Sequence, residues 1–386
     1  MPDGDAPATI EVVREIRGIT AAEWDACAGD DNPFVSHAFL SALEESDSAT
    51  AEEGWMPHHL ALKDGAGRLI GCAPLYVKGH SYGEYVFDHG WAHAFERAGG
   101  RYYPKLQGAV PFTPVTGPRL LVRPGPAADA AADALVDGMQ TICERLDLSS
   151  VHVTFPTEAE WRRFGAHGWL QRTGQQYHWV NRGYATFDDF LADLASRKRK
   201  AIKKERRQAV ESGVTLHTLT GPELKPEHWD AFYRFYRSTT DRKWGEAYLK
   251  RAFFHLIGER MADRIALVMA EEDGRWVAGA LNLIGRDALY GRNWGALGHY
   301  KFLHFEACYY RAIDFAIERG LSRVEAGAQG QHKIQRGYLP VRTFSAHWIA
   351  HPGLREAVAD FLERESEAVD MEIELLADHG PFRKGG

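Results

Sequence analysis

The sequence predicts an α/β protein made of two tandem copies of one α/β unit, joined by a basic helix. Three observations carry this. Residues 286–349 read as a strand, helix and strand followed by one more strand; four stretches of the first half recur in order in the second; and eight basic residues fall among the eleven from Arg197 to Arg207.

In the 286–349 stretch, a strand ends in Gly295 and Gly298, a helix runs from about Phe302 to Arg319, a short strand reads VEAGA, and a last strand ends at Trp348. On a helical wheel Phe305, Tyr309, Ala312, Ile313, Ala316 and Ile317 share one apolar face, with Glu306 at its margin. A carboxylate there is either ion-paired or carries a raised pKa, and a structural pair is the commoner outcome. His304 lies about 200° from Glu306 on the wheel, so a regular helix does not aim both into one site. Glu325 sits among Ala326, Gly327 and Ala328, which are too small to fill a sheet face and leave room for a ligand to approach the backbone.

The repeat pairs residues 9–26 with 214–231, a strand followed by a helix starting near Trp24-Asp25-Ala26 or Trp229-Asp230-Ala231. The hairpins LALKDGAGRLIGCAPLYV and ALVMAEEDGRWVAGALNLI match next, then residues 148–151 with 321–324 and 168–179 with 337–348. The N-terminal copy holds roughly 34 additional residues in an aromatic, Gly- and Pro-rich insertion over 78–126. An irregular insertion of this kind is either functional or a self-packed surface loop. The expected organisation is a first domain over 1–185, a basic linker helix over 186–213, and a second domain over 214–386 that includes an acidic C-terminal helix. Because VEAGA leaves room where the first copy has the bulky VHVTF, the reaction is expected in or beside the second copy, with the first helping to hold the acceptor.

A chain of 386 residues, 45% hydrophobic and 26% charged, with a net charge of -7, is ordinarily globular and has room for two cores. That charge argues against a surface that coats nucleic acid, and DNA is not an expected partner. Cys27, Cys72, Cys143 and Cys308 form no CxxC, so neither a zinc site nor a disulfide framework is expected, and no metal is. The N-terminus lacks the basic start and apolar core of a signal peptide, and no apolar run approaches the roughly 20 residues that span a bilayer. A cytoplasmic protein is expected, with any membrane contact peripheral and at the inner face.

Asp188, Asp189 and Asp193 precede the basic run, a sign order that suits a helix dipole. The basic positions surround the helix with only Glu205 among them as an internal partner, which favours phosphate binding over a merely solvated face. Diphosphate, tRNA and anionic lipid are all eligible.

The stretch LHFEACYYRAIDFAIERGLSRVEAGAQGQHKIQRGYLP, with NPFVSHAFL (32–40), PFTPVTGPRL (111–120) and SRKRKAIKKERR, resembles the FemAB-like predicted N-acyltransferases, proteins with two tandem GNAT-type folds. The resemblance extends over essentially the whole chain and implies amide-bond formation. Related members include aminoacyl-tRNA-dependent peptidoglycan-precursor transferases and bacterial ceramide synthases, which the resemblance suggests use a fatty acyl thioester and an amino lipid. It therefore implies an acyl-CoA or aminoacyl-tRNA donor, no tightly bound cofactor, and an amine-bearing, lipid-linked acceptor. The fatty acyl and amino lipid pair is preferred, because no coiled-coil arm is inserted and the rest of the chain is acidic. In one departure, Gln331 stands where the family pattern often has an acid before the His-Lys pair. A binding module without activity is the reading of another class.

Acyl transfer to an amine needs a base, a polarised carbonyl and orientation, and it proceeds by direct attack without an acyl-enzyme. His332 is the expected base, oriented by Glu325, with Glu306 as substitute and Lys333 steadying an oxyanion or a phosphate. Arg68 to Ala73 match a diphosphate turn literally but lie in a hairpin strand before Pro74, so they supply no helix N-terminus. Donor phosphates are instead expected on Arg197, Lys198, Arg199, Lys203, Lys204, Lys333 and Arg336. Phe112, Thr113, Pro114, Thr116, Gly117, Arg119 and His304 are assigned to substrate.

Overall fold

Two units make up the chain, and each receives its closing strand from the other copy of the repeat. In the computed structural model, which describes residues 8–211, 213–243 and 247–383, the first unit is Met1–Gly174 with Thr343–Val369 and the second is Gln175–Arg342 with Asp370–Gly386.

In the first unit Thr9–Val13, His59–Lys63, Leu69–Ala73 and Leu121–Val122 form an antiparallel sheet in that order. Pro74 ends the third strand, and the chain resumes as Leu75–Lys78, which pairs with Trp55–Pro57 and Lys105–Gly108. Lys105–Gly108 runs parallel to Ser150–Thr154, whose other edge takes residues 345–349 antiparallel. The helix Ala128–Arg145 inserts Leu135 and Met139 among Leu60, Leu62, Val151 and Val153 to build the core. Cys27 and Cys72, distant in sequence, are neighbouring free thiols.

The second unit repeats the plan. Thr215–Thr220, Ile265–Glu272, Arg275–Ile284 and Ala288–Ala296 are antiparallel neighbours. Arg323–Glu325 then joins parallel to Ala288–Ala296, and residues 178–180 lie antiparallel on its far side. The helix Pro226–Lys243 packs on this sheet so closely that a Cβ at Gly295 would stand 2.0 Å from the Phe235 carbonyl oxygen. On the other face Tyr309, Tyr310, Ile313 and Ala316 pack with Leu289, Val324 and Trp179.

The matched stretches occupy equivalent places, but the expected boundaries at 185 and 213 do not divide the units. The last strand of each copy, Leu170–Val180 or Leu339–Ile349, begins in its own unit and ends in the other. The repeat shows which strands are equivalent, whereas the sheet each one joins is set by partners distant in sequence. The basic helix is likewise part of the second unit rather than a linker. Its acidic lead-in is a separate helix, Phe187–Asp193, capped by Thr186, and Ser196–Val210 has no acid in its first turn. Arg68 to Ala73 lie at and within the strand Leu69–Ala73. Pro352–Asp378 is one helix, and no helix among the described residues is long and apolar enough to cross a membrane.

Candidate active site

The parallel ladder of the second unit is three residue pairs long, Ala288 with Arg323, Leu289 with Val324 and Tyr290 with Glu325. Beyond it one strand runs on to Ala296, while the other leaves the sheet at Glu325. The carboxyl end of parallel strands is where open α/β sheets offer a crevice. Side chains alternate across a strand, so Val324 enters the core while Glu325 turns to the opposite face with its register partners Tyr290 and His178.

Glu325 is 3% exposed. Its Oε1 accepts a 2.9 Å hydrogen bond from Arg323 Nε, but Oε2 accepts none among the described residues, and His178 Nε2 is 3.7 Å away. Burial pushes the Glu325 carboxyl up to about 7, against the lowering effect of Arg323. Burial, then the charges of Arg323 and Lys333, push His178 down to about 3, so the imidazole is neutral. A carboxyl that titrates near neutrality, with one unsatisfied oxygen, is suited to accept a proton.

Lys333 is buried and donates from Nζ to the carbonyls of Ala326 and, at 3.3 Å, Gly327. These bonds use two of its three donors. Burial lowers it to about 8. Nothing stands within 4 Å of where a Cβ at Gly327 would lie, so the chain stays open beside the ammonium. Gly330, at φ +98°, adjoins His332, and a Cβ there would lie 2.4 Å from the ring.

His332 and Glu325 do not form the expected pair. His332 is exposed, and its Nε2 lies 3.0 Å from the Tyr309 hydroxyl. It gathers with His304, Phe305 and Tyr309 at ring separations of 5.5 to 6.2 Å, on the helix side of the sheet. Burial, then Arg336 and Lys333, lower its pKa. The helix itself is irregular: residues Glu306–Tyr310 form a π-turn between Leu303–Phe305 and Arg311–Glu318, a distortion common at functional sites.

Glu306 points elsewhere. Its two oxygens accept from Arg206 at 2.9 and 3.1 Å, and Arg311 is 3.3 Å from one of them. Burial raises its pKa, and Arg206 opposes the rise. Arg206 also bridges to Asp314 and lies 4.3 Å from the centre of the Phe187 ring. This bidentate fork is a structural ion pair, which leaves Glu306 no lone base to offer.

The expected phosphate grips divide in two. Arg336 is buried, held by Glu205 at 2.8 and 3.1 Å and by the His332 carbonyl, and stacked on Phe305, so it has no free edge for a phosphate. Lys198 is taken by Gln335 and Lys203 by Asp188 at 3.1 Å. Arg197, Arg199, Lys200 and Lys204 pair with no described residue, and Arg207 pairs only with Glu211 of its own helix turn. Residues 197, 200, 204 and 207 are spaced three, four and three apart, which places them on one face opposite the buried Ile202 and Ala209. The cations therefore do not surround the helix: one side is bound into the unit, and the other is a solvent-facing cationic stripe.

A profile of the FemAB-like family, described as peptidoglycan biosynthesis/recognition, matches residues 15–384. The chain belongs to the FemAB-like family. No curated protein sequence matches it. The crystal structure of FemX is similar at a TM-score of 0.55 and 12% identity, covering 88% of this chain and 98% of that one. The C-terminal domain of a putative lysylphosphatidylglycerol synthetase from Agrobacterium fabrum gives 0.56 and 8%, covering 88% and 96%. A tandem GNAT protein from the clavulanic acid pathway gives 0.48 and 12%, covering 89% and 99%. The fold is α/β with two tandem GNAT-like units. Family and fold together point to an acyl- or aminoacyltransferase.

In this FemAB-like chain the two ladder ends are not alike. The repeat makes His152 the counterpart of Glu325 and His347 the counterpart of His178, and the two histidines of the first unit stand in register with Nδ1 atoms 2.7 Å apart. The insertion seals them. Trp91 packs on His347 at 5.0 Å, and Tyr102 approaches His152 at 3.2 Å while donating to Asp88. Asp88 and Glu84 both accept from the buried Lys105. Where the second unit keeps a buried carboxylate with one unpartnered oxygen, the first is filled.

The segment assigned to substrate is part of that filling. Arg119 is buried and donates to the carbonyls of Thr154, Gly117, Pro118 and Val115 at 2.8 to 3.1 Å. Phe112 lies against Trp55, Thr113 bonds the Pro111 carbonyl, the Thr116 carbonyl accepts from Asn32, and a Cβ at Gly117 would lie 2.1 Å from Asn32 Nδ2. Pro114 lies in the same folded turn, half-buried. Arg119→Ala is expected to lower stability by about 3 kcal/mol, read by chemical denaturation, because three buried carbonyls and a half-buried one lose their donor. An unchanged midpoint would return Arg119 to the list of free cations.

Proposed function

We propose that this protein is an N-acyltransferase in which Glu325 takes the proton of an attacking amine and the cationic stripe of Ser196–Val210 seats the phosphates of the donor. The observation that carries the reading is the buried Glu325 carboxylate, with its unpartnered Oε2 at the last pair of the parallel ladder. The amine nitrogen bonds to the acyl carbon, the carbon–oxygen or carbon–sulfur bond to the carrier breaks, and the nitrogen's proton passes to Glu325 and from it to the departing oxygen or sulfur. The remaining donor of Lys333 faces the oxyanion that develops, and His332, with His304, lines the donor side. His332 serves as positioning group rather than base in this reading, because its ring nitrogen is engaged with Tyr309.

The donor is a polyanion. Residues 197–207 span about 15 Å of helix, enough for several phosphates in a row, which favours aminoacyl-tRNA. One structural neighbour is named for a lysyl group on a phospholipid and the family for peptidoglycan, which supports an acceptor in a peptidoglycan precursor or a lipid; the amine on it belongs to the N-acyltransferase reading. The second reading, a fatty acyl thioester joined to an amino lipid, is favoured by the exposed aromatic residues of the insertion.

The test offers purified protein aminoacyl-tRNA or acyl-CoA with mixed amine acceptors, and mass spectrometry reads the amide. Activity that ribonuclease abolishes supports the first reading, and activity with acyl-CoA alone supports the second. Turnover with neither, alongside intact headgroup binding, would leave a binding module. Reversing Arg197, Lys200, Lys204 and Arg207 to Glu is expected to weaken donor binding by at least roughly tenfold and to flatten its salt dependence. Because these side chains face solvent, the melting temperature is expected to hold; unaltered binding would discard the stripe.

A further inference from the structure

We infer that the segment 79–88 of the first unit docks on the surface of a lipid bilayer through Tyr82, Tyr85 and Phe87. These side chains are 61%, 41% and 65% exposed, three large aromatics within six residues on a chain whose other aromatics are mostly buried. Soluble surfaces rarely expose such a group.

The segment is held rigidly from beneath. Lys78 donates to the Tyr82 carbonyl at 3.1 Å while its ammonium sits 3.6 Å from the Trp55 ring centre. Arg172 donates to the Phe87 carbonyl at 2.9 Å. Gly83 has φ +79° and packs where a Cβ would meet the Phe112 ring at 2.6 Å. The rings are therefore presented on a fixed backbone, not exposed by a loose loop.

The chemistry of the segment favours a bilayer over a protein partner. It contains no Lys or Arg, and both of its acids, Glu84 and Asp88, are buried on Lys105. The exposed surface is thus aromatic and free of Lys, Arg and carboxylates, with two phenol hydroxyls and the imidazoles of His80 and His89 against the rings, a composition that suits headgroup depth. It lacks the charges by which a protein interface fixes its register. With no membrane-spanning helix among the described residues, attachment would be peripheral.

The probe is the full chain mixed with large phosphatidylcholine vesicles and sedimented, so it reads binding without reference to catalysis. Wild-type protein is expected to pellet with the vesicles, with little dependence on salt. Tyr82→Ser/Tyr85→Ser/Phe87→Ser is expected to reduce partitioning by roughly tenfold or more with an unchanged melting temperature, and Phe87→Trp to retain it. Failure of wild type to pellet, or equal pelleting of the triple variant, would overturn the inference. So would a concentration-dependent dimer, seen by sedimentation velocity, that the triple variant abolishes, since a second copy would then be the occupant. Failure here would leave the catalytic proposal standing, and loss of activity in Glu325 variants would leave vesicle binding unchanged.

Discussion

Glu325→Gln is expected to lower amide formation by roughly 10²- to 10⁴-fold, the usual contribution of a positioned base. Glutamine keeps the shape and can still accept from Arg323 through its carbonyl, so the loss reports proton transfer rather than packing. In the wild type, kcat/KM should rise with pH through about 7 as the carboxyl ionises, and the variant should lack that limb. Stability moves the other way. The folded carboxyl titrates near 7, above its ordinary 4.5, so its contribution to folding is fully present below 4.5 and lost as pH rises through 7. At pH 8 the variant should therefore be at least as stable as wild type. A wild-type rate in the variant, or the same rising limb, would transfer the role of base to another residue.

Lys105→Met should be the most destabilising single change in the first unit, costing about 3–5 kcal/mol in denaturant unfolding, because it strands two buried carboxylates. Lys105 is fully buried, with Glu84 at 2.7 Å and Asp88 closer still, and Glu84 Oε1 and Asp88 Oδ1 accept no hydrogen bond among the described residues. Burial pushes Glu84 up to about 7, while Lys105 and His152 hold Asp88 low despite its burial. Asp88 stabilises the fold above its ordinary 3.8 and loses this as pH falls; Glu84 stabilises below 4.5 and loses this as pH rises through 7. The network should thus be most favourable near about pH 4 to 5, and adding Glu84→Gln to Lys105→Met should recover part of the loss at pH 8. Equal stability of Lys105→Met and wild type would mean that the carboxylates are solvated.

Much of this architecture was legible from residue pattern. The period of the apolar residues and the order of the four matched stretches predict the strands, the helices and their equivalence, whereas Ala326, Gly327 and Ala328, read as the end of a strand VEAGA, lie beyond the strand Arg323–Glu325. What pattern cannot supply is partnership across long separations. His178 stands beside Glu325 only because Leu170–Val180 ends in the second unit, and its repeat mate His347 gave no chemical hint. Arg206 was one cation among eight until Glu306 and Asp314 came to meet it from another helix. The regular wheel over 302–319 could not foresee the π-turn at Glu306–Tyr310, since an inserted residue changes the phase without changing composition. Arg119 looked like a substrate grip because an isolated guanidinium in a Gly- and Pro-rich stretch does not reveal that carbonyls will surround it.

The crossed ends of Leu170–Val180 and Leu339–Ile349 bear on how the molecule comes to exist. A nascent polypeptide that has emerged only as far as residue 213 cannot supply the antiparallel neighbour of Ser150–Thr154, because residues 345–349 have yet to be synthesised. The halves follow one plan, yet neither is a spare part: the ribosome must deliver residues 345–349 before the sheet of the first unit can close.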